Sequence, residues 1–225
     1  MRECATPPFA ADAPRVDDAR WRAHDLLRVT RRARADNEPD WVREALVRAP
    51  WAVVRRAQAA DGFVAVGIRG ATRAQRFGTW LHHQDVETIC SPEDLLSTSP
   101  SDDRAALPAF AALTVLRASP SALDEYTWGP TGSAGFELAT GAPTVSASSD
   151  LDLLIRMPER PASAAIDALA DLLARAAERT GTRVDVQIET PAGGVAFVEL
   201  AARKPLVLAR ASDGPRLVED AWCTP

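Results

Sequence analysis

The segment that most constrains this chain runs from residue 149 to 190, where a strand pattern, a long helix pattern and a second strand pattern follow one another. SDLDLLIR alternates polar and apolar residues, as a strand with one buried face does. PASAAIDALADLLARAAERTG then places apolar residues at 166, 169, 172, 173 and 176, a helical stripe closed by Gly181. RVDVQIE alternates again, and with VAFVEL it flanks Pro191-Ala192-Gly193-Gly194 as a hairpin; KPLVLAR is one more strand. An amphipathic helix among strands must lay its stripe on a sheet. The C-terminal half is therefore expected to be a sheet with helices on it, α+β or α/β, and the chain as a whole is read as α+β.

The N-terminal half carries shorter patterns. Residues 1–18 are rich in Pro and Ala without a period and read as a loose arm. WRAHDLLRV reads as a strand, and Asp40 is expected to cap a helix over WVREALVR that Pro50 ends. WAVVRRA and FVAVGIRG flank Asp61-Gly62 as a hairpin, whereas RFGTWLHHQDVETIC is ambiguous by periodicity. Ser91 and Pro92 are expected to open a short helix. The polar stretch STSPSDDR is the expected linker, between an N-terminal α/β domain over 19–98 and a second domain over 104–225 that begins with a helix in ALPAFAALTVLRA.

Composition excludes several classes. A net charge of −5 gives no basis for general nucleic-acid binding, although Arg20, Arg22, Arg28, Arg31, Arg32 and Arg34 crowd one stretch. That stretch reads first as a solvated charge run; the functional alternative is a steering surface for an acidic partner. The cysteines at 4, 90 and 223 fit neither a disulfide framework nor zinc spacing, which points to a reducing cytoplasm. His82 and His83 are adjacent, and on a strand they would point to opposite faces, so no metal site is expected there. No signal-peptide core or membrane-length apolar run is present, so a soluble cytoplasmic protein without a membrane partner is expected.

The chemistry concentrates in Asp150-Leu151-Asp152. Positions i and i+2 of a strand share a face, and two carboxylates held so repel unless a cation lies between them. Oxygen-only ligands suit Mg²⁺ or Mn²⁺. Upstream, Gly132-Ser133 begins GSAGFELATG, a turn running into a helix whose first amides can cradle phosphate. Downstream, Asp185, Gln187 and Glu189 alternate onto one face, so Asp185, and after it Glu189, are candidates for a third carboxylate.

Glycine-serine, helix, hDhDh strand and a later acidic strand resemble the polymerase-β-type nucleotidyltransferase superfamily. Sixteen residues separate Ser133 from Asp150, more than that superfamily usually has, so TGAPTVSASS reads as an inserted loop. HDLLRV, VGIRGATRAQRFG, WGPTGSAGFELATG, SDLDLLIR and GPRLV, in that order, resemble more specifically the phosphoribosyl-dephospho-CoA transferases that make the holo acyl carrier protein of malonate decarboxylase. The resemblance implies a nucleotidyltransferase-like catalytic domain with a mixed sheet and flanking helices over 104–225. It also implies a reaction: 2′-(5″-triphosphoribosyl)-3′-dephospho-CoA is joined to a serine of the apo carrier protein and pyrophosphate leaves. In that family the aspartates of the SDLD motif, here Asp150 and Asp152, are the catalytic pair.

On this reading Asp150, Asp152 and Asp185 hold metal, and Gly132 and Ser133 hold the triphosphate. Arg69, Arg73 and Arg76 recur at helical spacing in GIRGATRAQRF; they read as a solvated face or as phosphate-binding forks. Trp80, Trp128 and Trp222 are core tryptophans or adenine platforms. Lys204 and Arg210 are further phosphate contacts to be weighed. The competing functions are transfer of AMP or UMP to another acceptor, and a carrier-protein binding module with vestigial acids. The carrier of citrate lyase is an alternative acceptor.

Overall fold

The computed structural model describes residues 3–223 apart from 17, 31, 33, 36 and 119. It divides into two compact units, Met1–Ser91 and Pro92–Pro225. The segment 97–104, expected as a linker, falls within the second unit.

In the first unit the elements are β1 (Glu3–Cys4), β2 (Arg15–Val16), β3 (Leu26–Val29), α1 (Asp40–Arg48), β4 (Trp51–Val54), β5 (Ala59–Ala60), β6 (Phe63–Arg69), β7 (Arg76–His82) and β8 (Val86–Cys90). Six of the strands form a sheet in the order β1-β7-β6-β4-β3-β8, antiparallel except for β1 on β7. Alternation along β6 and β7 buries Val64, Val66, Ile68, Phe77 and Leu81, and Val42 and Ala45 of α1 join them in one core. The N-terminal stretch expected as a loose arm is paired at two points. Glu3 and Cys4 sit beside β7, and β2 pairs with β5.

The second unit contains α2 (Pro108–Arg117), β9 (Thr127–Pro130), α3 (Gly132–Thr140), β10 (Leu151–Arg156), α4 (Ser163–Thr180), β11 (Val184–Thr190), β12 (Gly193–Ala196), α5 (Phe197–Ala201), β13 (Val207–Ala211) and β14 (Gly214–Val218). Its mixed sheet runs β14-β13-β12-β11-β10-β9, and only β10 and β11 are parallel. Parallel neighbours cannot be joined by a tight turn, so the chain returns through α4, the helix read from its apolar stripe. Ile166, Leu169, Leu173 and Ala176 of that stripe are buried. Leu151, Leu153, Leu154 and Ile155 of β10 are almost wholly buried. Each such side chain stabilises the unit by roughly 1.5–3 kcal/mol. The protein is thus α+β.

Several local expectations are corrected. Pro39, not Asp40, occupies the N-cap of α1, and Asp40 is its first helical residue. Ser91-Pro92 leads into a single 3-10 turn, Asp94–Ser97, instead of an α-helix. VAFVEL splits, its first two residues ending β12 and the rest forming α5. His82 ends β7 and His83 begins a 3-10 turn, so their rings stack, with centroids 4.5 Å apart, and do not point to opposite faces. GIRGATRAQRF is the tip of the β6–β7 hairpin, closed by the Gly70 amide donating to the Gln75 carbonyl at 3.0 Å. Arg69 and Arg76 face each other across that hairpin, and no helix carries Arg73. Their three- and four-residue spacing reflects the length of the turn.

Candidate active site on the mixed sheet

Asp152 and Asp185 are register partners on the parallel strands β10 and β11. The Leu151 amide donates to the Arg183 carbonyl at 2.9 Å, which carries the pairing back to Asp150 beside Arg183. By alternation Asp150, Asp152, Arg183, Asp185 and Gln187 share one face, opposite the buried Leu151, Leu153 and Ile155. Glu189 lies on that face too, but its register partner is Arg156, at the other end of β10. Arg156 is held there by Glu93 at 3.2 Å.

Helix α3 starts against this face. The Thr131 amide donates to the Asp152 carbonyl at 2.8 Å. Gly132, at φ +58°, stands so close that a β-carbon there would overlap the Asp152 carboxylate. A left-handed backbone and an absent side chain are both glycine properties, so the glycine of the Gly-Ser pair brings a helix N-terminus onto the acid. Ser133 is buried in the same turn.

The stretch read as an inserted loop is strapped to α3. The Glu137 carboxylate accepts from Arg104 Nε at 2.5 Å and Nη2 at 3.0 Å, and from the amides of Thr144 at 2.6 Å and Val145 at 2.7 Å. Burial pushes the Glu137 carboxyl up, but the Arg104 fork and the Val145 and Thr144 amides outweigh it and hold the group below its ordinary value. The Ser149 hydroxyl accepts from the Ser146 amide at 2.9 Å, and Thr182 Oγ1 donates to the Ser149 carbonyl at 3.0 Å. The chain therefore enters Asp150 from a tied-down loop.

Two further side chains complete the face: Arg183, just before β11, which sequence reasoning passed over, and Gln187 on β11, which it placed on the face without a role. Arg183 Nη2 bridges Asp185 Oδ2 at 2.5 Å and Asp150 Oδ2 at 3.1 Å. Gln187 Nε2 is buried and has no hydrogen-bond partner. The alternation that picked out Asp185 also marks positions 183 and 187, which was the available signal. Among the described residues, no group of three or more His, Cys, Asp or Glu side chains forms a ready-made metal cage. The donor set nevertheless fits a hard cation. It is oxygen-only, and a guanidinium already stands between two of the carboxylates.

The other candidates lie on other elements of the chain. Arg69, Arg73 and Arg76 belong to the first unit's hairpin. In the arginine-rich stretch, Arg20 pairs with Asp18, Arg28 with Glu87, Arg32 with Glu38 and Arg34 with Asp40, so much of its charge is met locally; Arg31 lies outside the described residues. Trp80 lies in an aromatic layer with Phe9 and under the Arg55 guanidinium, and Trp128 is core. Trp222 donates its indole N–H to the Met157 carbonyl at 3.0 Å. Lys204 pairs with Glu199 at 3.1 Å, and Arg210 sits on β13 opposite Pro215. No helix among the described residues is long and apolar enough to cross a membrane.

Fold and site together define an α+β protein with a carboxylate centre at the start of two parallel strands. Residues 12–92 match the phosphoribosyl-dephospho-CoA transferase MdcG N-terminal domain, and residues 95–221 match the MdcG C-terminal domain. The phosphoribosyl-dephospho-CoA transferase of Pseudomonas aeruginosa is 45% identical over 201 residues, covering 88% of this chain and 92% of that protein. The transferase of the same name from Pseudomonas putida is 43% identical, covering 89% of this chain and 95% of its own length. That of Azotobacter vinelandii is 41% identical, with 88% and 93% covered. No solved structure matches the chain. This chain belongs to the phosphoribosyl-dephospho-CoA transferase family.

Proposed function

We propose that the protein transfers the 2′-(5″-triphosphoribosyl)-3′-dephospho-CoA group to a serine of the apo acyl carrier protein of malonate decarboxylase, within the polymerase-β-like nucleotidyltransferase superfamily. The observation that carries this reading is the register of Asp152 with Asp185 beside Asp150, with the N-terminus of α3 closed onto Asp152. The serine oxygen attacks the phosphorus next to the ribose, forming a phosphodiester. The bond from that phosphorus to the bridging oxygen of the terminal diphosphate breaks, and pyrophosphate leaves with the electron pair. The serine proton goes to a carboxylate of the site or to water.

Asp150 and Asp152, with Asp185 as third ligand, would hold Mg²⁺ or Mn²⁺. Such a cation supplies a lower pKa for the serine hydroxyl and neutralises charge on the leaving pyrophosphate. The protein's part is positioning and electrostatics. Gly132 and Ser133, at the start of α3, take triphosphate oxygens. Gln187, whose buried amide nitrogen has no partner, offers a donor to the substrate from the same face.

The test is the intact mass of apo carrier protein after incubation with enzyme, precursor and Mg²⁺. The expected product is heavier by the phosphoribosyl-dephospho-CoA group, with one pyrophosphate released per carrier. The folded Asp152→Asn protein should be slower by at least ~10²-fold, since it loses a direct ligand. A nucleotide-monophosphate adduct, or no adduct, would overturn the assignment.

A further inference from the structure

Arg183 is the one feature of the carboxylate face that neither the resemblance nor the proposed reaction accounts for. Its Nη2 alone touches both acids, at 2.5 Å to Asp185 and 3.1 Å to Asp150. The contact is end-on, not the two-bond fork that makes an arginine–carboxylate pair strong. The side chain is 68% exposed, so water competes for the guanidinium and the pair is weak. Its position two residues before Asp185 on β11 keeps it at the rim of the site wherever the side chain points. A guanidinium cannot lose its charge, so it leaves the acids only by moving.

We propose that Arg183 is the resident counter-ion of the carboxylate site, displaced when a divalent cation enters and then turned to the phosphate oxygens of the leaving group. The inference rests on the reading of Asp150, Asp152 and Asp185 as cation ligands. Without a cation, Asp150 and Asp185 repel each other, and Arg183 relieves that repulsion. A hard divalent ion with several oxygen ligands takes the same carboxylates more strongly than one shared, exposed guanidinium nitrogen does. Once displaced, the arginine presents its whole planar fork beside the acids, a geometry suited to phosphate. One side chain thus opposes binding of the cation and assists binding of the anion.

These two effects have opposite signs, which a merely structural residue does not produce. Mn²⁺ binding to the substrate-free full-length protein is followed by the loss of the free-ion electron paramagnetic resonance signal. Arg183→Gln should bind Mn²⁺ about fivefold more tightly than the unaltered protein, as removal of two weak, exposed ion contacts implies. Arg183→Lys, which keeps the charge, should stay close to the unaltered protein. Pyrophosphate inhibition of transfer at fixed free Mg²⁺ should weaken about tenfold in Arg183→Gln, by loss of a charge-assisted contact. Equal or weaker Mn²⁺ binding by Arg183→Gln would overturn the counter-ion role, and unchanged inhibition would overturn the role toward phosphate. If neither protein binds Mn²⁺ in the millimolar range, the underlying cation site itself is refuted. Binding that Asp150→Asn abolishes but Arg183→Gln leaves unaltered refutes only the inference about Arg183.

Discussion

The Asp152 carboxylate occupies the space that a β-carbon on Gly132 would fill. Strand β10 and helix α3 are thereby in contact at the acid itself. The first prediction follows from that contact. Gly132→Ala should lower stability by about 1–2 kcal/mol, the cost of a left-handed backbone for an L-residue, and push the carboxylate aside. A displacement of that kind costs transfer on the order of 10²-fold. Gly141 has a similar φ of +70° but nothing within 4 Å of its would-be β-carbon. Gly141→Ala should therefore show a comparable loss in a urea titration while keeping transfer within about twofold. Equal losses of transfer in the two variants would detach Gly132 from the site.

Asp185 and Glu189 share a face, but only Asp185 is in register with Asp152. Four residues of strand put Glu189 about 13 Å farther along. Asp185→Ala should cut transfer at saturating Mg²⁺ on the order of 10²-fold, the smaller end of the loss for removing one stabilising group at a reacting centre. Glu189→Ala should change it by no more than about threefold, as a substitution remote from the chemistry does. Steady-state rates of the two variants decide the matter, and the reverse order moves the third carboxylate to Glu189.

Gln187 pairs an unsatisfied buried donor with a place on the face that carries Asp152 and Asp185. Leucine has nearly the same shape and nothing to leave unpaired. Gln187→Leu should leave stability unchanged or raise it by up to ~1 kcal/mol, and weaken precursor binding about five- to tenfold. Thermal unfolding with and without precursor separates the two effects. Loss of stability in the variant without precursor would show that the amide has a partner within the fold.

Glu137 answers to acid. Its carboxyl is held below its ordinary value of 4.5, so the unfolded chain takes up the proton first as pH falls. The stabilisation is complete above that ordinary value and is lost as pH drops through the lower, folded value. Glu137→Ala, which leaves the Arg104 charge without its carboxylate and two amides without their acceptor, should cost about 3 kcal/mol at neutral pH. The gap to the unaltered protein should narrow as pH falls below the ordinary value of 4.5 and the carboxyl becomes protonated in both states. Urea titrations at both pH values measure it, and a gap independent of pH would show that packing, not charge, gives Glu137 its effect.

The elements at the centre of the site were legible because their signals are local. The stripe of α4, the alternation of β10 and β11 and the glycine-serine start of α3 each show within a short window, and the same windows mark Asp150, Asp152 and Asp185 as acids of one face. Where a pattern had two meanings, the shorter-range one misled. Arg69, Arg73 and Arg76 have the spacing of a helix face, yet cross-strand pairing of β6 with β7 across a short turn produces the same spacing. VAFVEL alternates like a strand for only two residues of β12 before the chain turns into α5.

By itself the sequence determined which residues can share a face, because side-chain direction along a strand or helix depends only on position in that element. It also determined the family, through an ordered set of motifs extending over most of the chain. Only the tertiary structure decided which faces meet. The parallel register that sets Asp185 beside Asp152, the guanidinium of Arg183 between two acids, and the hold of Glu137 on Thr144 and Val145 all depend on strand order and loop path. Those are fixed by packing the whole sheet, since each contact joins segments that no local pattern relates.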